Sequence, residues 1–182
     1  TSIFVTHDQE EAMMLSDYIA VMRDGEVIQY GPAAEIYRRP QHFYVATFIG
    51  KPRMGILEGH AQIVGDTLTF RAGDLRLQWP ARAANGAPVT PIDTPVLLGI
   101  RAEDVRLTSI HAVATPDCMT GEIALIEPLG SDTFVEVNRQ QLALTARVEP
   151  DRPLSVGDSV ALHLPREKLH LFDATTQQRL PL

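Results

Sequence analysis

The chain opens on an apolar run, Ile3-Phe4-Val5, that stops abruptly at Thr6-His7-Asp8 and passes directly into a helical pattern. This junction constrains the fold more than any other feature. An apolar strand whose carboxyl end feeds a helix is a βα step of an α/β sheet, and open α/β sheets bind their ligands beyond the carboxyl ends of the strands. The sequence therefore predicts a buried strand over the first residues with the His7 imidazole at its functional end. Because that strand begins at residue 2, the reading implies a chain that starts inside a domain.

Local signals extend the α/β reading to residue 50. Asp8 followed by Glu11 reads as a capping box, in which each side chain satisfies an orphan amide of the helix start. Ala12, Leu15 and Ile19 recur at spacings of three and four, the stripe of a helix packed on a sheet. Asp24-Gly25 lies between alternating runs and signals a hairpin. Gly31-Pro32 introduces a short helix over Ala33 to Arg38, with Pro32 expected at its first position because its missing N–H would be unpaired there anyway. A second short helix is expected over Phe43 to Ile49, ending at Gly50.

Beyond Gly50-Lys51-Pro52 the texture changes to short strands punctuated by turns. Strands are expected near Ile56–Val64, Thr67–Arg71, Leu75–Trp79, Val96–Arg101, Gly121–Leu129, Thr133–Val137, Leu142–Val148, Ser159–Leu164 and Leu169–Phe172. Short strands with Gly-Asp, Asn-Gly and Pro-rich breaks favour a small barrel over a doubly wound sheet. The Ala-, Pro- and Gly-rich stretch Pro80–Pro95 reads as a surface loop. Two units result, residues 1–50 and residues 51–182.

Composition narrows the function classes. The 182 residues, 45% hydrophobic and 21% charged, suffice for one large core or two small ones. A net charge of −7 with scattered Lys and Arg argues against a nucleic-acid partner, which needs clustered positive charge. No apolar run reaches the roughly 18 to 20 residues that span a bilayer, and no basic-then-apolar signal segment is present, so the chain reads as soluble. Cys118 is the single cysteine, which excludes an intrachain disulfide and fits a reducing, cytoplasmic setting.

The first 54 residues resemble the switch-histidine region of ATP-binding-cassette (ABC) ATPases. The resemblance is carried by Val5, Thr6, His7, Asp8, Gln9, Glu11, Ala12, Leu15, Ser16, Asp17, Ile19, Val21, Met22 and Gly25 in a gapless register. It continues through Gln29, Gly31, Pro32, Glu35, Ile36, Tyr37, Pro40, Phe43, Val45, Ala46, Phe48, Ile49, Gly50, Pro52 and Met54 in the manner of carbohydrate importers. Leu98-Gly99-Ile100-Arg101-Ala102-Glu103 is similar to the LGIRPE segment of the C-terminal oligonucleotide-binding-type (OB, or TOBE) regulatory domain of those importers. Glu127-Pro128-Leu129-Gly130-Ser131-Asp132 and Leu169-His170-Leu171-Phe172-Asp173 match later signatures of it. Ala102 stands where proline is usual, and Gly55 where asparagine is usual.

The resemblance implies an α/β remnant of an ABC nucleotide-binding domain followed by an all-β OB-fold-like barrel. It implies that His7 hydrogen-bonds the γ-phosphate of ATP, and that ATP and Mg²⁺ serve the parent protein. Implied partners are a second copy of the chain, membrane permease subunits, indirectly an extracytoplasmic solute-binding protein, and a regulatory protein on the barrel. The location implied is cytoplasmic, at the inner face of the membrane. Arg101, Glu103, Leu129, Gly130, Asp132 and Phe172 are the candidates for regulation or dimer contact. The tail from Leu169 to Arg179 is most similar to glycerol-3-phosphate importers, with maltose-type and other sugar importers next.

Taken by itself, a lone histidine is more often structural than functional; the surrounding motif is what singles out His7. Glu10 and Glu11 open a helix, where carboxylates are favoured by the dipole, and are not read as general bases. Arg101 with Glu103 and Asp104 suggests an ion pair or turn brace. His60, His111, His163 and His170 lack the paired spacing of a metal site, and no metal is expected. No G-x-x-x-x-G-K-[ST] loop and no LSGGQ-like signature occurs, so this chain alone is not expected to hydrolyse ATP. The alternative reading is a barrel that senses a small oxyanion, which would require convergent amides and a basic side chain.

Overall fold

In a computed structural model, residues 2–81, 92–110 and 115–181 are described. The first part of the chain holds helix α1 (Gln9–Leu15), strands β1 (Tyr18–Arg23) and β2 (Glu26–Pro32), and helices α2 (Ala33–Arg38) and α3 (Phe43–Phe48). β1 and β2 pair antiparallel through a two-residue turn at Asp24 and Gly25, whose φ angles of 54° and 84° suit the right-handed twist of a hairpin. Ile19 and Val21 point inward from β1 and meet Ile36, Val45 and Ile49 in a small core of their own.

The remaining strands are β3 (Gly55–Val64), β4 (Thr67–Ala72), β5 (Leu75–Pro80), β6 (Asp93–Ile100), β7 (Arg106–Ser109), β8 (Cys118–Leu129), β9 (Asp132–Arg139), β10 (Leu142–Val148), β11 (Ser159–His163), β12 (His170–Asp173) and β13 (Arg179–Leu180). They form two antiparallel sheets, β10-β9-β8-β11-β7 and β13-β12-β6-β3-β4-β5. Inward residues of both sheets, among them Leu57, Phe70, Leu77, Leu98, Met119, Val135, Leu144 and Leu162, make one shared core, the barrel-type arrangement expected of the sequence. A third cluster, Ala46, Met54, Leu97 and Phe172, joins α3 to β6 and β12. The β body is thus seated on the helices by packing as well as by the chain.

The structure departs from the sequence reading at several points. Residues 2–6 form no strand, and Ile3 and Val5 are 93% and 91% exposed. A strand persists only as part of a ladder, and none of the described strands runs beside this segment. The stripe Ala12, Leu15, Ile19 is divided between two elements: α1 ends at Leu15, which is exposed, and Ser16 turns extended at ψ 135°. Ile19 then alternates with Val21 in β1, a period of two rather than three to four. Pro32 is the cap before α2 and closes β2, with Ala33 as the first helical residue. β7 and β13 have four and two residues, too few for a pattern to show in sequence. Of the loop expected over Pro80–Pro95, residues 82–91 lie outside the described residues, and Asp93–Pro95 belong to β6.

Candidate functional site

His7 lies exposed on the turn that enters α1, and its neighbours fix that turn. Asp8 Oδ1 accepts from the amides of Glu10 and Glu11 at 2.8 and 3.2 Å, as an N-cap should. These two bonds hold the Asp8 carboxyl below the usual carboxylate range. The reciprocal half of the capping box is relayed rather than direct. Asp8 N–H donates to Thr6 Oγ1 at 2.9 Å, and that hydroxyl donates to Glu11 Oε2 at 3.1 Å. Thr6, Asp8 and Glu11 therefore close a ring of bonds around the residue that carries the imidazole. Glu10 pairs with Lys51 at 3.5 Å, so both glutamates have structural partners.

Gln9 ties the turn to the rest of the molecule. Its Oε1 accepts from Gly50 N–H at 2.9 Å, and the adjoining Ile49 carbonyl accepts from Arg101 Nη1, also at 2.9 Å. Arg101 is 3% exposed. Its Nη2 donates to the Tyr37 carbonyl at 2.8 Å, and the guanidinium carbon sits 3.6 Å over the Tyr37 ring. The Tyr37 hydroxyl donates to Glu103. Burial together with that bond pushes the phenol up to about 12. Asp104 pairs instead with Lys168 at 2.7 Å. Arg101 thus braces carbonyl oxygens, while the carboxylates beside it in sequence serve Tyr37 and Lys168.

The other candidates fall in two places. Leu129 is 66% exposed at the tip of the β8–β9 hairpin, where Gly130 adopts φ 73° and Asp132 lies 3.6 Å from Arg147. Phe172, by contrast, is 0% exposed within a single chain, edge-on to Phe43 with ring centroids 6.1 Å apart. It packs core, because β12 runs between β6 and β13 and turns this residue onto Ala46, Met54 and Leu97.

The histidines take packing or ion-pair positions. His60 and His163 meet Asp93 and Asp117 at 3.2 and 2.9 Å, and His111 lies outside the described residues. His170 is buried with Nδ1 lacking a hydrogen-bond partner. Burial, reinforced by Arg179 and Arg101, holds it down to about 4. Among the described residues no group of three His, Cys, Asp or Glu could hold a metal. The His7 imidazole is exposed, and the sequence supplies no phosphate-cradling loop beside it. The residues described do not make a phosphate cradle by themselves, and the two nearby glutamates already meet Lys51 and Thr6.

Sequence reasoning missed Gln9, Tyr37 and the Ile49–Gly50 peptide as parts of this site. The one available signal was Gly50 directly after a helix, where φ is 122°.

Comparison with known proteins accounts for both parts of the molecule. Residues 98–172 match the TOBE domain. The sulfoquinovosyl glycerol transport ATP-binding protein of Agrobacterium fabrum is 35% identical over 99% of this chain and 48% of its own length. The sn-glycerol-3-phosphate import ATP-binding protein of Escherichia coli strain K12 is 34% identical over 99% of the chain and 48% of its own. The xylose/arabinose import ATP-binding protein of Haloferax volcanii is 32% identical over 99% and 46%. The chain spans about half the length of these curated relatives. A molybdate-bound ModG structure overlaps 64% of the chain with a TM-score of 0.47 at 16% identity, a likeness too loose to carry ligand chemistry across. With a TOBE domain over residues 98–172 and relatedness along its whole length, the chain matches the C-terminal part of the ATP-binding subunits of ABC importers, relatives that are themselves named for sulfoquinovosyl glycerol, sn-glycerol-3-phosphate and xylose/arabinose.

Proposed function

We propose that this chain serves an ABC importer as the C-terminal portion of its ATP-hydrolysing subunit, energising uptake of a sugar or of glycerol-3-phosphate. The observation that carries the proposal is the relatedness over 99% of the chain to importer subunits named for such solutes. In this reading residues 1–50 complete a nucleotide-binding domain and residues 51–182 form the regulatory and dimerisation domain. The separate small core before residue 50 supports that division.

His7 is the residue assigned to the γ-phosphate of ATP. Its exposure and the bonded ring of Thr6, Asp8 and Glu11 suit an imidazole held outward for a contact supplied from elsewhere. ATP and Mg²⁺ would bind where other parts of the subunit provide the cradle. Two subunits would pair through their TOBE domains, with Leu129, Gly130 and Asp132 near the contact. The pair would sit on the cytoplasmic side of permease subunits served by an external solute-binding protein, and a regulator would dock on the barrel. No described helix is long and apolar enough to cross a membrane, so attachment would run through the permease.

The test is a replacement. This chain is substituted for the corresponding half of the Escherichia coli glycerol-3-phosphate import subunit, and uptake by cells lacking that subunit is measured. Restored ATP-dependent uptake is expected. A hybrid that folds and assembles with the permease but drives no uptake of glycerol-3-phosphate or of any sugar would contradict the proposal.

A further inference from the structure

One peptide unit, that between Ile49 and Gly50, is held at both ends by side chains from distant parts of the chain. Arg101 Nη1 donates to its carbonyl and Gln9 Oε1 accepts from its N–H, each at 2.9 Å. A cation on a carbonyl oxygen draws electron density through the amide and makes its N–H a stronger donor, so the two bonds reinforce one another. The second fork of Arg101 is fixed on the Tyr37 carbonyl at 2.8 Å, and its face lies on the Tyr37 ring. Gly50 leaves the space this requires: a Cβ there would lie 2.5 Å from Arg101 Nη1, at a φ of 122° that side chains avoid. The exposed Lys51–Glu10 pair adds little to the joint.

Gln9 is the first residue of α1 and stands two positions after His7. We infer that Arg101 is a positioning residue for the His7 turn, acting through the Ile49–Gly50 peptide on Gln9, so that the orientation of the imidazole is set from the TOBE domain. The inference rests on the proposed function only in taking His7 as the contact that matters. The Arg101-to-Gln9 connection is a physical network of adjacent bonds, and its signature is energetic coupling between its ends.

The experiment is amide hydrogen exchange by NMR on this chain with Arg101→Lys, Gln9→Ala and the double variant. Lysine keeps the charge but lacks the planar fork whose two nitrogens reach the separate carbonyls while its face stacks on Tyr37. Each single substitution is expected to speed exchange at the Gly50 amide and at Ala12 to Leu15 roughly tenfold, the effect of one lost hydrogen bond. The double variant should go little further than either single, and the amides of β9 and β10 should not change. Unchanged exchange in α1 with Arg101→Lys, or fully additive effects, would overturn the inference. If Arg101→Lys does not fold, Gln9→Ala is read at the other end: the guanidinium protons of Arg101 should exchange faster, and an unchanged rate would overturn it. These readouts involve no nucleotide. Their failure removes the coupling and leaves the importer reading intact, whereas a hybrid subunit that drives no uptake removes the importer reading, and unimpaired uptake by a His7→Ala subunit removes the phosphate role of His7; both leave the coupling intact.

Discussion

Trp79 and Leu164 are joined by a buried hydrogen bond, indole Nε1–H to carbonyl oxygen at 2.9 Å, that fastens the edge strand β5 of one sheet to the end of β11 in the other. The bond uses the one polar atom of a side chain that otherwise packs the shared core. Trp79→Phe keeps most of the ring and removes the donor, leaving a buried carbonyl unpaired. A loss of about 1 to 3 kcal/mol is expected in denaturant unfolding. A change below about 0.5 kcal/mol, the range of an ordinary surface substitution, would show that the bond does not tie the sheets.

Phe172 and Leu129 should behave oppositely, because one is enclosed and the other stands at a hairpin tip. Phe172→Ala opens a cavity among Ala46, Met54 and Leu97 and should cost about 3 to 5 kcal/mol of stability. Leu129→Ala should leave stability within about 0.5 kcal/mol while weakening the self-association proposed for the TOBE domains, measured by light scattering. A dimer unaffected by Leu129→Ala would move the contact away from the β8–β9 tip.

Stability should depend on His170 in mildly acidic solution. The folded protein resists protonating this imidazole until about pH 4, chiefly because burial penalises the cation and secondarily because of Arg179 and Arg101. The unfolded chain takes up that proton near its ordinary value of about 6.5. Between these values the unfolded state binds more protons, so stability falls as pH drops from about 6.5 towards 4, by a total of order 3 kcal/mol. His42, also lowered by burial, adds to the same slope. Unfolding measured from pH 7 to pH 4.5 should show the slope in the parent and a much flatter profile in His170→Gln. Equal slopes would contradict the assignment.

What the sequence disclosed and what it hid divide along a physical line. The helix Ala33–Arg38 and the Asp24-Gly25 turn were legible because their causes lie within a few residues, in a proline that cannot continue a ladder and in a pair that tolerates positive φ. The alternating strands from β3 to β5 were legible for the same reason. The first segment misled because Ile3-Phe4-Val5 carries strand propensity, whereas a strand is a property of two segments. Arg101 was legible as a brace but its partners were not, since Ile49 and Tyr37 precede it by 52 and 64 residues. The burial of Phe172 depends likewise on α3 lying against β12, a tertiary fact with no local signal.

The central claim, that His7 presents its imidazole to the terminal phosphate of ATP in an importer ATPase, is tested most directly by His7→Ala in the complete subunit assembled with its permease. ATP binding should persist, because the imidazole is one contact among the many that hold the phosphates, while ATP-driven uptake should fall by roughly a hundredfold or more, as for other lost transition-state contacts. Uptake at the parent rate with normal ATP binding would contradict the claim, and loss of binding together with loss of fold would reduce His7 to a structural residue.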